Sequence, residues 1–427
     1  MISVPSHHSL SQAKPRILWF TSRPAPAVIQ KLHRSAKGSG YWINSLLEAL
    51  RPRANVRLGV ATIRTGTGDL AFEQDGIEYF VIDRPRLLGE LTWRDQLRRC
   101  VELARQWQPD LIHVHGTETL YGLVGPRVDC PTVISLQGLL SVYQRQFWGT
   151  LSMREILAAH SLTEVLRGAG LFWEWRRQGR NAVRESEILR QARHVLGRTL
   201  WDRAHAAELA PQARYSWVGE ILRPTFYGEP WQLDSVERDS VIFTNAGSPR
   251  RGVETALEAA ALVRRGRPRL GVKLGGDLRG AYGAFIRRKA RQLGLEVECL
   301  GYLDDEMMRR RLLQSHVFVL PSYLENSSNS LAEAMLVGMP CVASCGGGTP
   351  SMIDDGRTGL MFSPGDAAVL AQRIEMLLCD DELAVSLAQA ARAQALMRHD
   401  PDRVVDQLLG AYESAMGRRL RHQEVIR

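Results

Sequence analysis

Two glutamates separated by a short polar run, Glu325 and Glu333, are the residues whose types and spacing best suit ligand binding. The apolar run 316–320 before them predicts a buried strand, and the sequence from Ser330 predicts a helix. A loop between a strand and a helix N-terminus can hold an anion, because the first N–H groups of the helix are unpaired and its dipole is positive there. A carboxylate can also accept hydrogen bonds from two neighbouring hydroxyl groups. The pattern predicts that Glu333 holds a ribose and that Glu325 faces the group beyond the phosphates.

Glu333 also has a purely structural interpretation. Ser330 and Glu333 have the spacing of a capping box, in which the glutamate accepts a backbone N–H at the start of its own helix. In that case Glu333 would stabilise the helix and bind no ligand. For an isolated Ser-x-x-Glu pattern the capping box is the commoner outcome, but the surrounding sequence favours the ligand.

The residues after the two glutamates carry a family resemblance. Residues 321–340 are followed by Cys-Val-Ala-Ser at 341–344, Gly-Gly-Gly-Thr-Pro at 346–350 and Asp-Gly-Arg-Thr-Gly at 355–359. Together they resemble the C-terminal signature of retaining GT-B glycosyltransferases of the family 4 type. The resemblance implies that Glu333 binds the nucleotide ribose and that Glu325 contacts the donor sugar and takes part in catalysis. We also expect the run between them to line the donor site: Asn326, Ser327, Ser328, Asn329 and Ser330.

A glycine–arginine loop precedes the predicted helix 253–263. It reads Gly-Ser-Pro-Arg-Arg-Gly at 247–252, and forked arginine donors at a helix start can clamp a diphosphate. We expect Arg251 to be the phosphate ligand and to stabilise the leaving diphosphate, with Arg250 in reserve. The alternative is an arginine pair on a solvated turn. Two further elements belong to the predicted donor site: Gly247 in this loop and Gly275 after the next strand.

Glycines and polar residues also follow the strands of the first half of the chain. Gly38 and Gly40 stand where the family has a glycine pair whose backbone approaches phosphate, although a plain loop explains them nearly as well. His113 and His115 share one face of a strand, but the sequence offers no third metal ligand near them. We therefore expect His115, at the mouth of the strand, to be the functional member of the pair.

The acceptor side of the site is predicted from two neighbouring segments. Gln137 occupies the place where many family members carry a histidine before Gly138, and an amide cannot act as a base. Gln137 is therefore expected to bind the sugar or to position the acceptor. Gly138 and Thr117 are expected on the acceptor side. Segments 115–118, 137–143, 197–203 and 220–227 further resemble bacterial family 4 enzymes that build capsular polysaccharide or exopolysaccharide.

Two series of alternating strands and helices must position these residues. Such alternation predicts parallel sheets covered on both faces, with the loop residues above gathered at the carboxyl ends of the strands. The predicted fold class is therefore α/β of the GT-B type: two Rossmann-like, doubly wound parallel-sheet domains facing each other across a cleft. The predicted strands are 16–20, 56–63, 77–82, 111–115 and 133–136 in the first series, and 240–244, 270–274, 296–300, 316–320 and 341–344 in the second.

The chain divides into five predicted parts. Residues 1–14 are expected to form a disordered tail, 15–225 the acceptor-side domain, and 226–238 a linker rich in Pro, Gly and acidic residues. Residues 239–400 are expected to form the nucleotide-sugar-binding domain. Residues 401–427 are expected to form a helix that crosses back to the first domain. With 427 residues, each of the two domains is large enough to bury its own core.

Composition narrows the partners and the compartment. The net charge of +9 is compatible with phosphorylated ligands, and no basic run interleaved with stacking aromatics indicates nucleic-acid binding. Six scattered cysteines show neither disulfide nor zinc spacing, so we expect a cytoplasmic protein with no metal and no cofactor apart from a nucleotide-sugar co-substrate. We do not expect the polar N-terminus to be a signal peptide, and no apolar stretch approaches the length needed to cross a bilayer.

The segment 147–193 is rich in aromatic residues and arginines. Within it, residues 171–177 mix large apolar and cationic side chains as an interfacial helix does. This predicts peripheral contact with the anionic inner membrane, where a polyprenyl-linked acceptor would be found. The alternative, slightly favoured, is an ordinary amphipathic helix that packs on the sheet.

The sequence therefore predicts a retaining glycosyltransferase that moves a sugar from a nucleotide-diphosphate sugar to a saccharide or a lipid-linked saccharide. One alternative is a GT-B phosphorylase or a nucleotide-sugar epimerase. A phosphorylase needs a lysine for its pyridoxal cofactor, and neither Lys273 nor Lys289 lies in a glycine-rich loop. Another alternative is a non-catalytic sensor of sugar nucleotides, which Gln137 and the serine at position 248 make conceivable.

Overall fold

The protein folds into two α/β domains, each built on its own sheet. A computed structural model describes residues 14–33, 40–85 and 92–420. Two doubly wound, mostly parallel sheets confirm the predicted fold class. The strands are β1 (Arg16–Thr21), β2 (Arg57–Thr65), β3 (Leu70–Gln74), β4 (Ile77–Arg84), β5 (Leu111–His115), β6 (Thr132–Ser135), β7 (His194–Gly197), β8 (Arg214–Trp217), β9 (Glu237–Phe243), β10 (Gly271–Gly275), β11 (Val297–Gly301), β12 (Ser315–Leu320), β13 (Cys341–Ser344) and β14 (Leu360–Phe362).

Fifteen α-helices of the described residues connect and cover these strands. They are α1 (Pro26–Lys31), α2 (Tyr41–Leu50), α3 (Trp93–Trp107), α4 (Leu140–Tyr143), α5 (Met153–Ala158), α6 (Leu162–Leu166), α7 (Leu171–Gln191), α8 (Leu200–Leu209), α9 (Val253–Val263), α10 (Gly280–Gln292), α11 (Asp305–Leu313), α12 (Asn329–Val337), α13 (Ala367–Cys379), α14 (Asp381–Arg398) and α15 (Pro401–Met416).

The N-terminal sheet has eight strands in the order β3-β4-β2-β1-β5-β6-β7-β8. Every pair is parallel except β3 with β4, which is an antiparallel edge. Apolar side chains cover both faces: one cluster centres on Phe20, Trp107 and Ile188, the other on Trp19 and Ile43. Burial on both faces is what the apolar runs of these strands require.

The C-terminal sheet has six parallel strands in the order β11-β10-β9-β12-β13-β14. Its central strand, β12, is completely buried. Helices α9 and α13 pack on one face and α12 and α14 on the other. Because β12 lies between β9 and β13, the loops after these three strands meet at one edge of the sheet.

Four strands were not predicted from the sequence: β3, β7, β8 and β14. They are short, and three of them lie at sheet edges, where packing makes weak demands on the sequence. β8 reads Arg-Tyr-Ser-Trp and carries no apolar run. The hydrophobic pattern of the sequence therefore does not predict the last strand of the N-terminal sheet.

The last described helix, α15, packs on the N-terminal domain. Its Val404, Leu408 and Tyr412 join the cluster formed by Trp19 and Ile43. The Tyr412 hydroxyl lies 2.7 Å from Nδ1 of His113 on β5. The region 226–238 packs on the C-terminal domain instead, where Trp231 is buried in the cluster around Phe318.

Residues 147–175 of the N-terminal half cross to the C-terminal domain. Phe147, Ala159 and Leu171 belong to the same buried cluster as Val253 and Phe285. Polar contacts fix the crossing: Lys289 of α10 pairs with Glu155 of α5 at 3.0 Å, and the backbone N–H of Ala281 donates to Glu164 of α6 at 3.0 Å. Helices α5 and α6 therefore bridge the two domains. None of the described helices has a stretch long and apolar enough to span a bilayer.

Candidate functional site

The carboxyl ends of the strands in both sheets meet at the domain interface. In open parallel sheets ligands bind at this edge, which makes it the candidate site. A cavity of about 710 Å³ lies at the other edge of the N-terminal sheet, at the amino ends of β6 and β7. We give it no catalytic role, because the residues with donor and acceptor groups suited to an anionic sugar lie at the interface.

Arg251 and Glu325 form the centre of the interface. Arg251 follows β9 in a 3₁₀ turn over Pro249–Arg251, and Glu325 follows β12. The Arg251 guanidinium forms an ion pair with the carboxylate of Glu325, whose side chain is 8% exposed. Burial and the neighbouring Arg250 lower the pKa of Arg251 to about 9. The guanidinium of Arg251 is therefore positively charged at neutral pH and faces the Glu325 carboxylate.

Arg250 lies beside the same carboxylate. Its Nη1 atom is 3.7 Å from Oε1 of Glu325 and donates to the carbonyl oxygen of Leu324. Its guanidinium stacks 4.2 Å above the ring of Tyr143, which belongs to the N-terminal domain. Burial lowers the pKa of Arg250. The predicted arginine pair is therefore not on a solvated turn: both guanidinium groups lie beside Glu325 within the C-terminal domain, and Arg250 contacts Tyr143 of the other domain.

Gly252 is what allows this approach. It has φ = +66°, a left-handed conformation that glycine adopts without strain. A Cβ atom at this position would collide with the carbonyl oxygen of Pro321, at the end of β12. The glycine therefore lets the arginine turn lie directly against the loop that carries Glu325.

Glu333 lies on α12 and is 5% exposed. Its Oε1 accepts hydrogen bonds from Nε and Nη2 of Arg223, at 2.9 and 2.6 Å. Arg223 also donates to Asp305, at the start of α11. Burial raises the pKa of Glu333, while the charge of Arg223 acts in the opposite direction. Glu333 thus has a side-chain partner from the segment that joins the two domains.

The capping-box interpretation of Glu333 is wrong. The N-cap of α12 is Ser328, whose hydroxyl accepts the backbone N–H of Leu331, and its spacing excludes Glu333 from the box. Ser328 and Ser330 hydroxyls lie 3.0 Å apart at this helix start. The Glu333 carboxylate faces away from its own helix terminus and toward the interdomain segment.

Asn326 joins the two domains. It is fully buried, its Oδ1 accepts the Thr199 hydroxyl at 2.7 Å, and its Nδ2 donates to the Leu136 carbonyl at 3.3 Å. Its backbone N–H donates to the hydroxyl of Tyr143 at 2.9 Å. Asn329 donates to Glu220 at 3.3 Å, also across the interface. Within the predicted donor run, Asn326 and Asn329 therefore hold the domains together. The Ser327 side chain is partly buried beside them.

His115 is buried beneath the site rather than in it. It is 1% exposed, and its ring lies 4.5 Å from Trp19 and 3.8 Å from His113. Burial, with a smaller effect of Arg198, lowers the pKa of His115 to about 3. The imidazole is therefore neutral at physiological pH. His113 is bonded to Tyr412 and, at 2.7 Å, to Ser135.

Gln137 contacts Arg198, which forms an ion pair with Glu220 that was not predicted from the sequence. Its Oε1 accepts Nη2 of Arg198 at 2.6 Å, and Arg198 lies 3.1 Å from Glu220. Arg198 follows β7, a strand that was not predicted. Its position after a strand, within Gly-Arg-Thr at 197–199, was the available signal. A cavity of about 30 Å³ separates this group from His115, which is room for about one water molecule.

The two residues expected on the acceptor side lie below the surface. Thr117 is fully buried and donates to Glu185 of α7 at 2.6 Å. The same Glu185 carboxylate accepts the backbone N–H groups of Leu140 and Ser141. A Cβ at Gly138 would collide with the ring of Tyr143. Thr117 and Gly138 therefore support the loops after β5 and β6 from beneath.

The remaining glycines of the predicted donor site occupy different positions. Gly247 is exposed beside Asp277, and both line a cavity of about 390 Å³ with Arg177, Arg279 and Tyr282. Gly275 ends β10 and packs tightly on Thr244. Gly40 is buried and caps α2. Gly38 lies outside the described residues. No group of three or more metal-ligating side chains is found among residues 14–33, 40–85 and 92–420.

The segment 171–177 does not present its apolar face to solvent. Leu171 is 6% exposed, and Trp175 packs against the core of the C-terminal domain. The indole N–H of Trp173 donates to the Val165 carbonyl at 2.8 Å. The segment 171–177 is therefore an amphipathic helix that packs on the protein, as the alternative interpretation predicted. Four exposed apolar side chains lie on the preceding helices: Met153, Leu157, Leu162 and Leu166, each at least 70% exposed. Val183, further along α7, is 74% exposed.

Comparisons with known proteins find a matching family model in the C-terminal half of the chain. Residues 230–394 match the family model described as glycosyl transferases group 1. Over 186 residues the chain is 32% identical to alpha-D-kanosaminyltransferase of Streptomyces kanamyceticus. The aligned region covers 43% of this chain and 47% of that protein. Over 368 residues it is 24% identical to 2-deoxystreptamine N-acetyl-D-glucosaminyltransferase of Streptomyces fradiae, covering 78% and 80%. These matches identify residues 230–394 as a glycosyltransferase domain.

Solved structures confirm the GT-B fold. Sucrose-phosphate synthase from Thermosynechococcus elongatus has a TM-score of 0.70 at 19% identity, covering 95% of this chain and all of that one. Anabaena HepE in complex with UDP-glucose has a TM-score of 0.65 at 19% identity, covering 93% and 99%. By sequence, the chain spans 47% of the kanosaminyltransferase and 34% of the sulfoquinovosyl transferase of Arabidopsis thaliana.

Proposed function

We propose that the protein is a retaining glycosyltransferase that takes its sugar from a nucleotide-diphosphate donor. The observation that carries the proposal is the convergence of Arg250, Arg251 and Glu325 beside the N-terminus of α12. Two guanidinium groups and a helix N-terminus supply fixed positive charge where a diphosphate would leave. Stabilisation of developing charge by such preorganised groups usually contributes more to the rate of an enzyme than any other single effect.

In this proposal donor binding breaks the ion pair between Arg251 and Glu325. Arg251 releases Glu325 and binds the diphosphate, while Arg250 remains anchored on Tyr143 and the Leu324 carbonyl. The freed Glu325 carboxylate faces the donor sugar, whose ring gains positive charge as the bond to the diphosphate breaks. Glu333 holds the ribose through the carboxylate that Arg223 orients. The UDP and UDP-glucose complexes of the HepE structures support a nucleotide sugar as the donor.

The chain offers no side-chain base for the acceptor hydroxyl at His115 or Gln137. His115 is buried and neutral, and Gln137 is an amide held by Arg198. We propose that an oxygen of the donor phosphate takes the acceptor proton, which also places the acceptor on the same face as the leaving group. Retention of configuration at the anomeric carbon follows from that arrangement.

The acceptor is proposed to be a saccharide or a polyprenyl-linked saccharide at a membrane surface, in the synthesis of a bacterial cell-surface polysaccharide. The four exposed apolar side chains on α5 and α6 support contact with an anionic bilayer. Arg154 and Arg167, both exposed, lie on the same two helical segments and complement acidic headgroups. The proposed compartment is the cytoplasmic face of the inner membrane.

A phosphorylase is disfavoured by the two lysines of the C-terminal domain. Lys273 is 3% exposed and pairs with Glu237 at 2.8 Å, on β9. Lys289 pairs with Glu258 at 2.7 Å and with Glu155. Both lie away from the interface between Arg251 and Glu325, so neither is placed to hold a pyridoxal cofactor there.

The test is donor binding followed by transfer. Nucleotide sugars are screened by thermal shift, since a ligand at one hundred times its Kd adds about 2.7 kcal/mol of stability. The anomeric configuration of the product is then read by NMR. Arg251→Gln should abolish the shift given by UDP-sugars, while Arg265→Gln, an exposed arginine on the same domain, should retain it. Equal shifts in both variants, or an inverted product, would refute the proposal.

A further inference from the structure

Tyr143 of the N-terminal domain lies against the loops of the C-terminal domain that carry Arg250 and Glu325. It is the last residue of the short helix α4, and its side chain is buried. Its hydroxyl accepts the backbone N–H of Asn326 at 2.9 Å. The Cζ atom of the Arg250 guanidinium lies 4.2 Å from the centre of its ring. One side chain of the first domain therefore contacts both a cation and a backbone group next to Glu325.

The contact between Tyr143 and Arg250 fixes the direction of a buried cation. The face of an aromatic ring attracts a guanidinium group, and the attraction is stronger where water is excluded. The Arg250 side chain is 10% exposed, and its Nη1 atom donates to the carbonyl oxygen of Leu324. The ring and this carbonyl together hold the guanidinium beside the Glu325 carboxylate. Without the ring, the guanidinium would lose one of the two contacts that set its direction.

Buried groups of the N-terminal domain hold Tyr143 itself in place. Helix α4 begins against Glu185 of α7, whose carboxylate accepts the first two backbone N–H groups of α4 at 3.0 and 2.9 Å. The loop after β6 passes directly along the ring, because a Cβ atom at Gly138 would collide with it. The ring of Trp201 stacks on Tyr143 with the ring centres 6.0 Å apart. Tyr143 is therefore fixed to its own domain, and its contacts with Arg250 and the Glu325 loop exist only while the two domains are together.

The two contacts of Tyr143 reach both loops of the proposed donor site. Arg250 belongs to the loop after β9, and Asn326 belongs to the loop after β12. We propose that Tyr143 is a positioning residue for the donor: its ring orients Arg250 toward the diphosphate, and its hydroxyl holds the loop that carries Glu325. The N-terminal domain thereby completes a donor site whose other groups belong to the C-terminal domain. The inference deepens the proposed function and rests on it for the diphosphate as the ligand of Arg250.

Two variants of Tyr143 separate the role of the ring from that of the hydroxyl. Tyr143→Phe keeps the ring and removes the acceptor of the Asn326 N–H, whereas Tyr143→Leu also removes the contact with Arg250. UDP and GDP are titrated by calorimetry into each variant and into the wild type. For the nucleotide that binds the wild type more tightly, we expect Tyr143→Phe to weaken binding roughly threefold and Tyr143→Leu about tenfold or more.

Tyr121→Phe is the matched control. Tyr121 is a buried tyrosine in the core of the same domain, and its hydroxyl accepts the backbone N–H of Ile63 at 2.8 Å. The variant therefore loses a hydrogen bond of the same kind, and its affinity for the nucleotide should equal that of the wild type. If Tyr143→Leu does not fold, the two phenylalanine variants decide: equal affinities of Tyr143→Phe and Tyr121→Phe overturn the inference.

A double-mutant cycle shows whether Tyr143 acts through Arg250. Arg250→Gln alone should weaken nucleotide binding. In that background the ring has no guanidinium to orient, so adding Tyr143→Leu should weaken binding by only about threefold more, the effect expected from the lost hydroxyl. A purely structural role of Tyr143 would give the same factor in both backgrounds. That result would overturn the inference.

Nucleotide binding by the wild type separates this inference from the proposed function. If the wild type binds neither UDP nor GDP, the proposed function is wrong and the inference falls with it. If the wild type binds one of them and Arg250→Gln weakens that binding, while both Tyr143 variants bind as tightly as the wild type, the proposed function stands and the inference alone is wrong.

Discussion

Arg251 and Glu325 form an ion pair although they belong to loops that follow different strands, β9 and β12. These strands are neighbours in the C-terminal sheet, so their carboxyl ends lie side by side. Gly252 permits the close approach of the two loops, and Arg250 ties the pair to Tyr143 of the other domain. The cationic and anionic parts of the proposed donor site are thus set by sheet topology rather than by proximity in sequence.

The first prediction separates the two glutamates. Glu325 is proposed to touch the sugar whose ring becomes positive, so Glu325→Gln should lower kcat more than donor affinity. Glu333 is proposed to hold the ribose, which changes little in the reaction, so Glu333→Gln should mainly raise the KM for the donor. Loss of one charge-assisted hydrogen bond is worth roughly 1.5–3 kcal/mol, about tenfold or more. Steady-state kinetics at varied donor concentration measures both effects.

For Glu333 the structure adds a competing outcome. Arg223 donates to the Glu333 carboxylate twice, so a purely structural role would appear as a lower melting temperature with unchanged kinetics. Asp305→Asn, which removes the other partner of Arg223, is the matched control. If Glu333→Gln and Asp305→Asn change stability alike and leave donor KM alone, the ribose assignment is wrong.

The second prediction concerns metal ions. The proposed site stabilises the departing diphosphate with Arg250, Arg251 and the N-terminus of α12, which need no cation. Transferase activity should therefore persist in excess EDTA, at a rate within about twofold of the untreated enzyme. Initial rates with and without chelator check this. Complete loss of activity in EDTA that magnesium or manganese restores would contradict charge stabilisation by the arginines.

The glutamates and the arginine turn could be placed from sequence because each follows an apolar run that must be a buried strand. β12 is buried at every position, and such a strand leaves few alternative registers. Glu325 and Arg251 follow the carboxyl ends of neighbouring parallel strands, so they are expected at the same edge of the sheet. The sequence also allowed two roles for Glu333, and the position of the N-cap at Ser328 excludes one of them, the capping box.

The missed residues of the N-terminal side belong to elements with weak sequence signals. Arg198 follows β7, whose four residues give no periodicity that distinguishes strand from loop. The packing of residues 147–175 on the C-terminal domain depends on contacts between residues that are distant in sequence. Its aromatic residues suit a membrane surface as well as a protein core, so composition alone could not separate these two. Trp175 packs against a cluster formed largely by the C-terminal domain, whose residues are distant from it in sequence.

The third prediction tests membrane contact. Leu162 and Leu166 are 74% and 77% exposed, so the double change to serine should cost little stability and should release the protein from anionic liposomes. Phe172→Ser with Trp175→Ser should instead lower the melting temperature, because Trp175 packs on the C-terminal domain. Flotation with liposomes and thermal melts of both variants give the answer. Unchanged flotation of the Leu162 and Leu166 variant would remove α6 from the proposed membrane surface.

The last prediction concerns the pH dependence of stability. Glu254, in the first turn of α9, is 3% exposed and accepts the Tyr282 hydroxyl at 2.8 Å. Burial raises its pKa from 4.5 to about 7. Between these values the folded protein holds a proton that the unfolded chain has lost, so the free energy of unfolding falls as pH rises. The slope from this group approaches ~1.4 kcal/mol per pH unit in the middle of that window.

Glu254→Gln removes the titrating group but keeps its shape. We expect the variant to gain stability relative to the wild type as pH rises from 5 to 7, measured by urea denaturation at each pH. Glu258→Gln, one turn later on α9 with a side chain 43% exposed, is the matched control and should leave the slope unchanged. If the stability difference between Glu254→Gln and the wild type is the same at pH 5 and pH 7, Glu254 is already ionised at pH 5. Its burial would then be compensated by Lys289 and Tyr282, the partners on α10 that face the same helix.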